Sequence, residues 1–189
     1  MKTSEDFERE FIADCEGQTG KSLNTWMDTL KATGLTKQKE LLNHVKTEYG
    51  LNHMQSNFLA GIYLNGGKPV FDTAALFNAH FEKYPHQRDI YDKLEAIVKA
   101  NVATVKVVGT KGYISFRNEK EFAVARINKG NVRIGMDLGD RPFDELVQKA
   151  KSLGAMPRIS HMVEVTTAEQ VTDDLAPLLN EANSRVNPA

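Results

Sequence analysis

The sequence predicts an α+β protein: a small N-terminal helical bundle, then a mainly antiparallel sheet of about five strands with helices packed against it. Three observations carry this expectation. The first 66 residues fall into capped segments of helical period, and Asn65-Gly66-Gly67-Lys68-Pro69 then interrupts every pattern. Beyond about residue 100 the apolar period drops from about 3.6 to two, with glycine turns at short intervals. The expected division is a helical module at 1–66 and an α+β module at 67–189.

Taken in order, Ser4 can cap a first helix with Phe7, Phe11 and Ile12 at core spacing, ended by Gly17, Thr19 and Gly20. A second runs from about Ser22 to Thr33, with Leu23, Trp26, Met27 and Leu30 on one side and Gly34 as its stop. Thr36 opens a third, carrying Leu41, Leu42 and Val45 and closed by Gly50. Asn52 caps a fourth, whose Phe58, Leu59, Ile62 and Tyr63 face inward. Joints this short force neighbouring helices to pack antiparallel. Two more helices follow the break, at 73–83 and 87–100.

Residues 103–108, 112–117, 121–127 and 131–137 are short and rich in Val, Ile, Phe and Tyr. The turns Gly109-Thr110-Lys111-Gly112 and Asn128-Lys129-Gly130-Asn131 join them as hairpins. A helix at 143–152 should lead to a fifth strand at 158–165, and a last helix at 168–184 must be kinked or interrupted by Pro177.

Charge is nearly balanced, 24 basic against 25 acidic residues in 189, so the molecule as a whole is no electrostatic nucleic-acid binder. No apolar run approaches the roughly 18–20 residues that cross a bilayer. The start, Met1-Lys2-Thr3-Ser4-Glu5-Asp6, has no apolar stretch of leader type. The lone Cys15, between Asp14 and Glu16, cannot form an intrachain disulfide and reads as an inert helix thiol. We expect a cytoplasmic protein.

Several motifs fail on inspection. Gly17-Gln18-Thr19-Gly20-Lys21-Ser22 ends like a phosphate loop, but Cys15 stands where its first glycine belongs, and a helix rather than a strand precedes it. No Asp or Glu is followed two residues later by lysine, as a metal-dependent nuclease would need. His44, His53, His80, His86 and His161 form no HExxH pair, and one cysteine builds no thiolate site, so we expect no metal and no cofactor. A GxSxG elbow is missing. The helices at 36–49 and 52–64 could imitate a DNA-reading pair, yet 19–64 holds only five lysines against three acids.

The strand region is more informative. Between Thr104 and Gly135 seven cations face two acids, a local +5. Alternation puts Val105, Val107, Ile114, Phe116, Val132, Ile134, Met136, Ile159, Val163 and Val165 on the core face. The opposite face then carries Lys106, Tyr113, Ser115, Arg117, Arg133, Asp137, Arg158 and Ser160. Strand 121–127 is ambiguous: if Phe122 and Val124 face the core, Ala123 and Ala125 join Gly135 outside. Small residues rimmed by cations would suit an anionic small molecule or a nucleic-acid backbone, with Lys106, Tyr113, Ser115, Arg117, Arg133 and Arg158 as the binding residues. A merely solvated face, or one under a helix, is the competing reading. His161 reads as a satisfied buried histidine.

Thr19-Gly20-Lys21-Ser22-Leu23, Trp26, Gly34-Leu35, Lys37, Glu40, Lys46 and Tyr49-Gly50-Leu51 through Asn57 resemble the bacterial family called domain of unknown function 4287. Ile90-Tyr91, Gly112-Tyr113-Ile114-Ser115-Phe116, Phe122-Ala123 and Arg133-Ile134-Gly135 resemble domain of unknown function 5655. The resemblance implies no catalytic residues; it fits an accessory or binding role, because the second family is similar to segments at the ends of larger proteins. The leading expectation is a non-enzymatic binding or accessory protein using the basic sheet face, with no membrane partner and an unprotected strand edge that could pair as a homodimer. The alternatives are an enzyme with a scattered site in an inter-module crevice near Tyr63, Lys68 and Tyr91, and a weak DNA-binding helical module.

Overall fold

A computed structural model gives the fold of residues 3–188; Met1 and Lys2, with which the segment read for a leader begins, and Ala189 lie outside the described residues. The chain forms two compact units, Met1–Asp72 and Thr73–Ala189.

The first unit contains α1 (Ser4–Ala13), α2 (Cys15–Thr19), α3 (Leu23–Ala32), α4 (Gln38–Tyr49) and α5 (His53–Leu64). The cap of α1 is Thr3, one residue before the expected Ser4: its side chain accepts from the Asp6 amide, and the Asp6 carboxylate accepts from the Thr3 backbone. Ser22 and Asn52 cap α3 and α5 as expected, Asn52 in a reciprocal box with Gln55. The core of this unit joins Phe11, Trp26, Leu30, Leu41, Val45, Phe58, Leu59 and Ile62, whereas Phe7 stays exposed. Trp26 is fully buried, so its indole N–H needs a partner; it donates to Thr19 Oγ1 at 2.7 Å, and that hydroxyl donates on to the Cys15 carbonyl at 2.6 Å. The glycines of the abandoned phosphate-loop motif lie in and at the end of α2, Gly20 closing that helix with φ +76°.

The second unit begins with α6 (Thr73–Lys83), a 3-10 turn at Pro85–Gln87 and α7 (Arg88–Asn101). Six strands follow: β1 (Lys106–Gly109), β2 (Ile114–Arg117), β3 (Glu121–Ile127), β4 (Val132–Met136), β5 (Gln148–Lys149) and β6 (His161–Val165), and then α8 (Leu175–Val186). Among the described residues they make one antiparallel sheet in the order β1-β2-β3-β4-β6-β5.

The first expected helix is broken into α1 and α2, and the sheet has six strands rather than about five. Ile159, expected on the core face, packs with Val124 and Met162 on the other side. The last two expected helices differ more. In place of the helix expected at 143–152 there is irregular chain with a bend at 145–147, then β5. The Asp144 side chain accepts from the Leu146 and Val147 amides at 2.8 and 2.6 Å, a local bond that competes with a helical ladder. The last helix is split: a 3-10 turn at Ala168–Gln170 stands apart, and α8 starts at Leu175. Pro177 thereby falls in the first turn, where its missing amide has no helical partner to lose.

The sheet has a core on each side. Ile114, Phe116, Ala125, Ile134, Met136, Val163 and Val165 pack with Leu94 and Val98 of α7 and Leu178 and Leu179 of α8. Val124 and Met162 point the other way, under Leu153 and Ile159 of the segment leading into β6. The β2–β3 register shifts between Phe116 and Arg117, which brings Phe122 and Ala123 both into the helix-covered core. Ala123 and Ala125 therefore do not join Gly135 on the outer face; Val124 does.

Candidate functional site

The six sheet residues expected to bind a ligand do not form one open cationic floor. Tyr113, Ser115, Arg117 and Arg158 gather at Glu121. Ser115, 2% exposed, donates its hydroxyl to Glu121 Oε2 at 2.6 Å, Arg158 Nη2 donates to the Glu121 carbonyl, and Arg117 is the cross-strand partner of Glu121. Burial, and then the Glu121 carboxylate, push the Tyr113 phenol above its ordinary pKa. Glu121 Oε1 is buried without a hydrogen-bond partner. A carboxylate at the centre of this group opposes an incoming anion.

The remaining cations divide. Arg158 Nη1 and Arg185 Nε both bind Asp137, at 2.9 and 3.0 Å. Arg133 Nε binds Glu164 at 2.8 Å, away from the Glu121 group. Lys106 lies across from Arg117 in the β1–β2 pair, and among the described residues neither forms an ion pair. The segment at 150–159 covers the middle of the face; a Cβ on Gly135 would collide with Leu153 and lie 2.8 Å from Ile159.

At the neighbouring end of the sheet a cleft of about 330 Å³ opens between the C-terminal end of α6, the β1–β2 turn and the end of β3. Its cations are Lys83, Lys111 and Arg126, with His80, Tyr84 and Asn128 beside them, and among the described residues no carboxylate lines it. Among the described residues none of these cations forms an ion pair. Lys83 lies over the Tyr84 ring, 5.2 Å from its centroid. Arg126 donates to the Leu153 carbonyl at 3.1 Å.

The walls are tied by side chains. His80 Nε2–H donates to the Thr110 carbonyl at 2.8 Å, and Thr110 Oγ1 accepts from the Tyr113 amide at 3.1 Å, which fixes the β1–β2 turn. On the other hairpin, Gln87 Nε2 donates to the Asn128 carbonyl at 3.0 Å and His86 Nε2–H to the Lys129 carbonyl at 2.7 Å. The 80–87 segment thus holds both turns, and a ligand would meet a preformed site.

Sequence reasoning counted Lys111 and Arg126 within the basic strand region but missed His80, Lys83 and Tyr84. They come from α6 and the residue after it, some thirty residues before Lys111, and only the packing of α6 on β1 brings them there; their one local signal was a Lys-Tyr pair before Pro85. His161, as read, is buried, donating Nε2–H to the Arg141 carbonyl at 2.7 Å.

The alternatives lose residues to the fold. Tyr91, expected at a crevice, is fully buried among Phe77, Phe81 and Phe116. In the helical unit Gln55 is used in its cap and donates to the Gln18 carbonyl, and Asn57 accepts from Gln38. No described helix is long and apolar enough to cross a membrane, and among the described residues no group of three or more His, Cys, Asp or Glu could hold a metal ion.

Two family profiles match the chain: Domain of unknown function (DUF5655) over residues 78–183, more than half of its length, and Domain of unknown function (DUF4287) over residues 8–64. No curated protein and no solved structure matches it.

Proposed function

Since the chain belongs to the DUF5655 family, with a DUF4287 region before it, its role must be read from its own residues, and we propose that it is a non-enzymatic binding or accessory protein that holds a small anionic ligand in the cleft of Lys83, Lys111 and Arg126. The observation that carries the reading is three cations round one cavity with, among the described residues, no carboxylate in its lining. Elsewhere in the C-terminal unit Arg133 meets Glu164 and Arg158 meets Asp137, while Arg117, without an ion pair among the described residues, lies beside Glu121 in the β2–β3 pairing. Cations left without a counter-charge in a concave site are the arrangement that gains most from an arriving anion. Lys106 and Arg117, from the sheet face, stand outside this cleft and would at most extend the positive field around it.

The test is calorimetric titration of inorganic pyrophosphate at low ionic strength, where screening is weakest. The native chain should bind saturably, and Lys83→Ala with Lys111→Ala should weaken binding by about tenfold or more, roughly 1.4 kcal/mol. Absence of binding, or equal binding by the double variant, contradicts the reading.

A further inference from the structure

We infer that the ligand selected by this cleft is a phosphate monoester dianion carried on a small apolar or aromatic group; the inference rests on the anion-binding reading above and narrows it. Charge is the first argument. Three cations share one cavity, and a monocarboxylate or a phosphodiester answers only one of them. A phosphate monoester brings between roughly one and a half and two negative charges at neutral pH, with three strong acceptor oxygens.

Donor geometry is the second. Arg126 spends Nη1 on the Leu153 carbonyl, which orients the guanidinium and leaves its other N–H groups to meet a phosphate. The lysines add mobile point charges that can follow the remaining oxygens.

The third argument is shape. Leu76, Ala79 and Ile127 add hydrocarbon to the lining, and the Tyr84 ring, with Lys83 over it, offers an aromatic surface beside a cation. Its volume of about 330 Å³ falls at the low end of small-molecule sites, roughly 300–1,000 Å³. A single ring with one phosphate matches that space, whereas a nucleic-acid strand would present one charge per phosphate and no apolar end group. Both turns are held by His80 and Gln87, so the cleft can discriminate by fit rather than by closing round whatever arrives.

The inference is tested by calorimetry at pH 8 and low ionic strength with phenyl phosphate, its methyl diester, benzoate and inorganic phosphate. At that pH the monoester is a dianion. Phenyl phosphate should bind about tenfold or more tightly than the diester and benzoate, and more tightly than inorganic phosphate, which lacks the ring. Lys111→Ala, at an exposed turn position, should reduce the preference for monoester over diester; Lys83→Ala is the second variant. Equal affinities for monoester, diester and benzoate would overturn the inference while leaving an unselective anion site. Absence of binding by all four overturns the underlying reading too. Binding of an oligonucleotide that phenyl phosphate fails to displace overturns the assignment of ligand class.

Discussion

Arg126 donates through Nη1 to the carbonyl of Leu153 at 3.1 Å, and this bond joins the cleft to the segment that covers the second face of the sheet. Leu153 in turn packs on Val124, and its methyl group occupies the space that a side chain at Gly135 would need. The residue that positions the guanidinium is therefore itself fixed by the sheet. Gly154 leaves room for the arrangement: its φ is +76°, and a Cβ there would lie 2.9 Å from Arg126 Nη1.

Gly154→Ala should accordingly cost about 1–3 kcal/mol from strained backbone and displaced guanidinium together, and weaken anion binding in the same protein. Urea unfolding and the pyrophosphate titration check both effects. A variant with wild-type values in each would show that the Arg126 placement is unimportant.

Gly109 sets how closely α6 approaches β1. A Cβ at this position would collide with the Phe77 amide nitrogen and the Thr73 carbonyl oxygen, which are backbone atoms that cannot rotate aside. Gly109→Ala should therefore destabilise the C-terminal unit by about 3 kcal/mol or more, measured as a shift in the urea midpoint followed by near-ultraviolet dichroism.

Glu8 binds the stretch after α5 to α1: its two carboxylate oxygens accept from the Val70 and Phe71 amides at 2.9 and 2.8 Å. Glu8→Ala leaves two amides without that partner and should cost about 2–4 kcal/mol, with increased amide exchange at Val70 and Phe71. Glu8→Gln keeps one acceptor oxygen and should cost less.

Burial pushes the Tyr91 phenol far above its ordinary pKa, and the Glu95 carboxylate adds to the shift. The folded chain thus holds this proton more tightly than the unfolded chain. The associated stability is whole below the unfolded phenol's value of about 10 and is lost as pH rises from there towards the folded value. Urea midpoints should fall between pH 9 and about pH 11, with Tyr113 contributing in the same direction. Tyr91→Phe should flatten most of that slope. It should also leave stability at pH 7 within about 1 kcal/mol of the native value, because the buried hydroxyl, although beside Glu95, makes no hydrogen bond of good geometry.

Where local chemistry decides, the sequence was legible. Ser22 and Asn52 cap their helices, Gly50 closes α4 at φ +67°, and β3 spans the residues its composition marked. Where tertiary choices decide, it was not. Alternation alone cannot reveal the register shift after Phe116 that reverses the roles of Ala123 and Val124. Nor can it foresee that Asp144 would cap two amides and cancel a helix. The cationic character of the strand region was readable, but its partition was not: Glu164 and Asp137 answer Arg133 and Arg158 only after folding, whereas Lys111 and Arg126 reach a cleft completed by α6.

The most direct measurement is amide chemical-shift mapping of the isotopically labelled chain during titration with phenyl phosphate. The account predicts saturable shifts at residues 79–84, 110–112 and 126–128, lost in the Lys83→Ala, Lys111→Ala double variant. Shifts centred instead on Lys106, Arg117 and Arg133, or no saturable shifts at all, would contradict it.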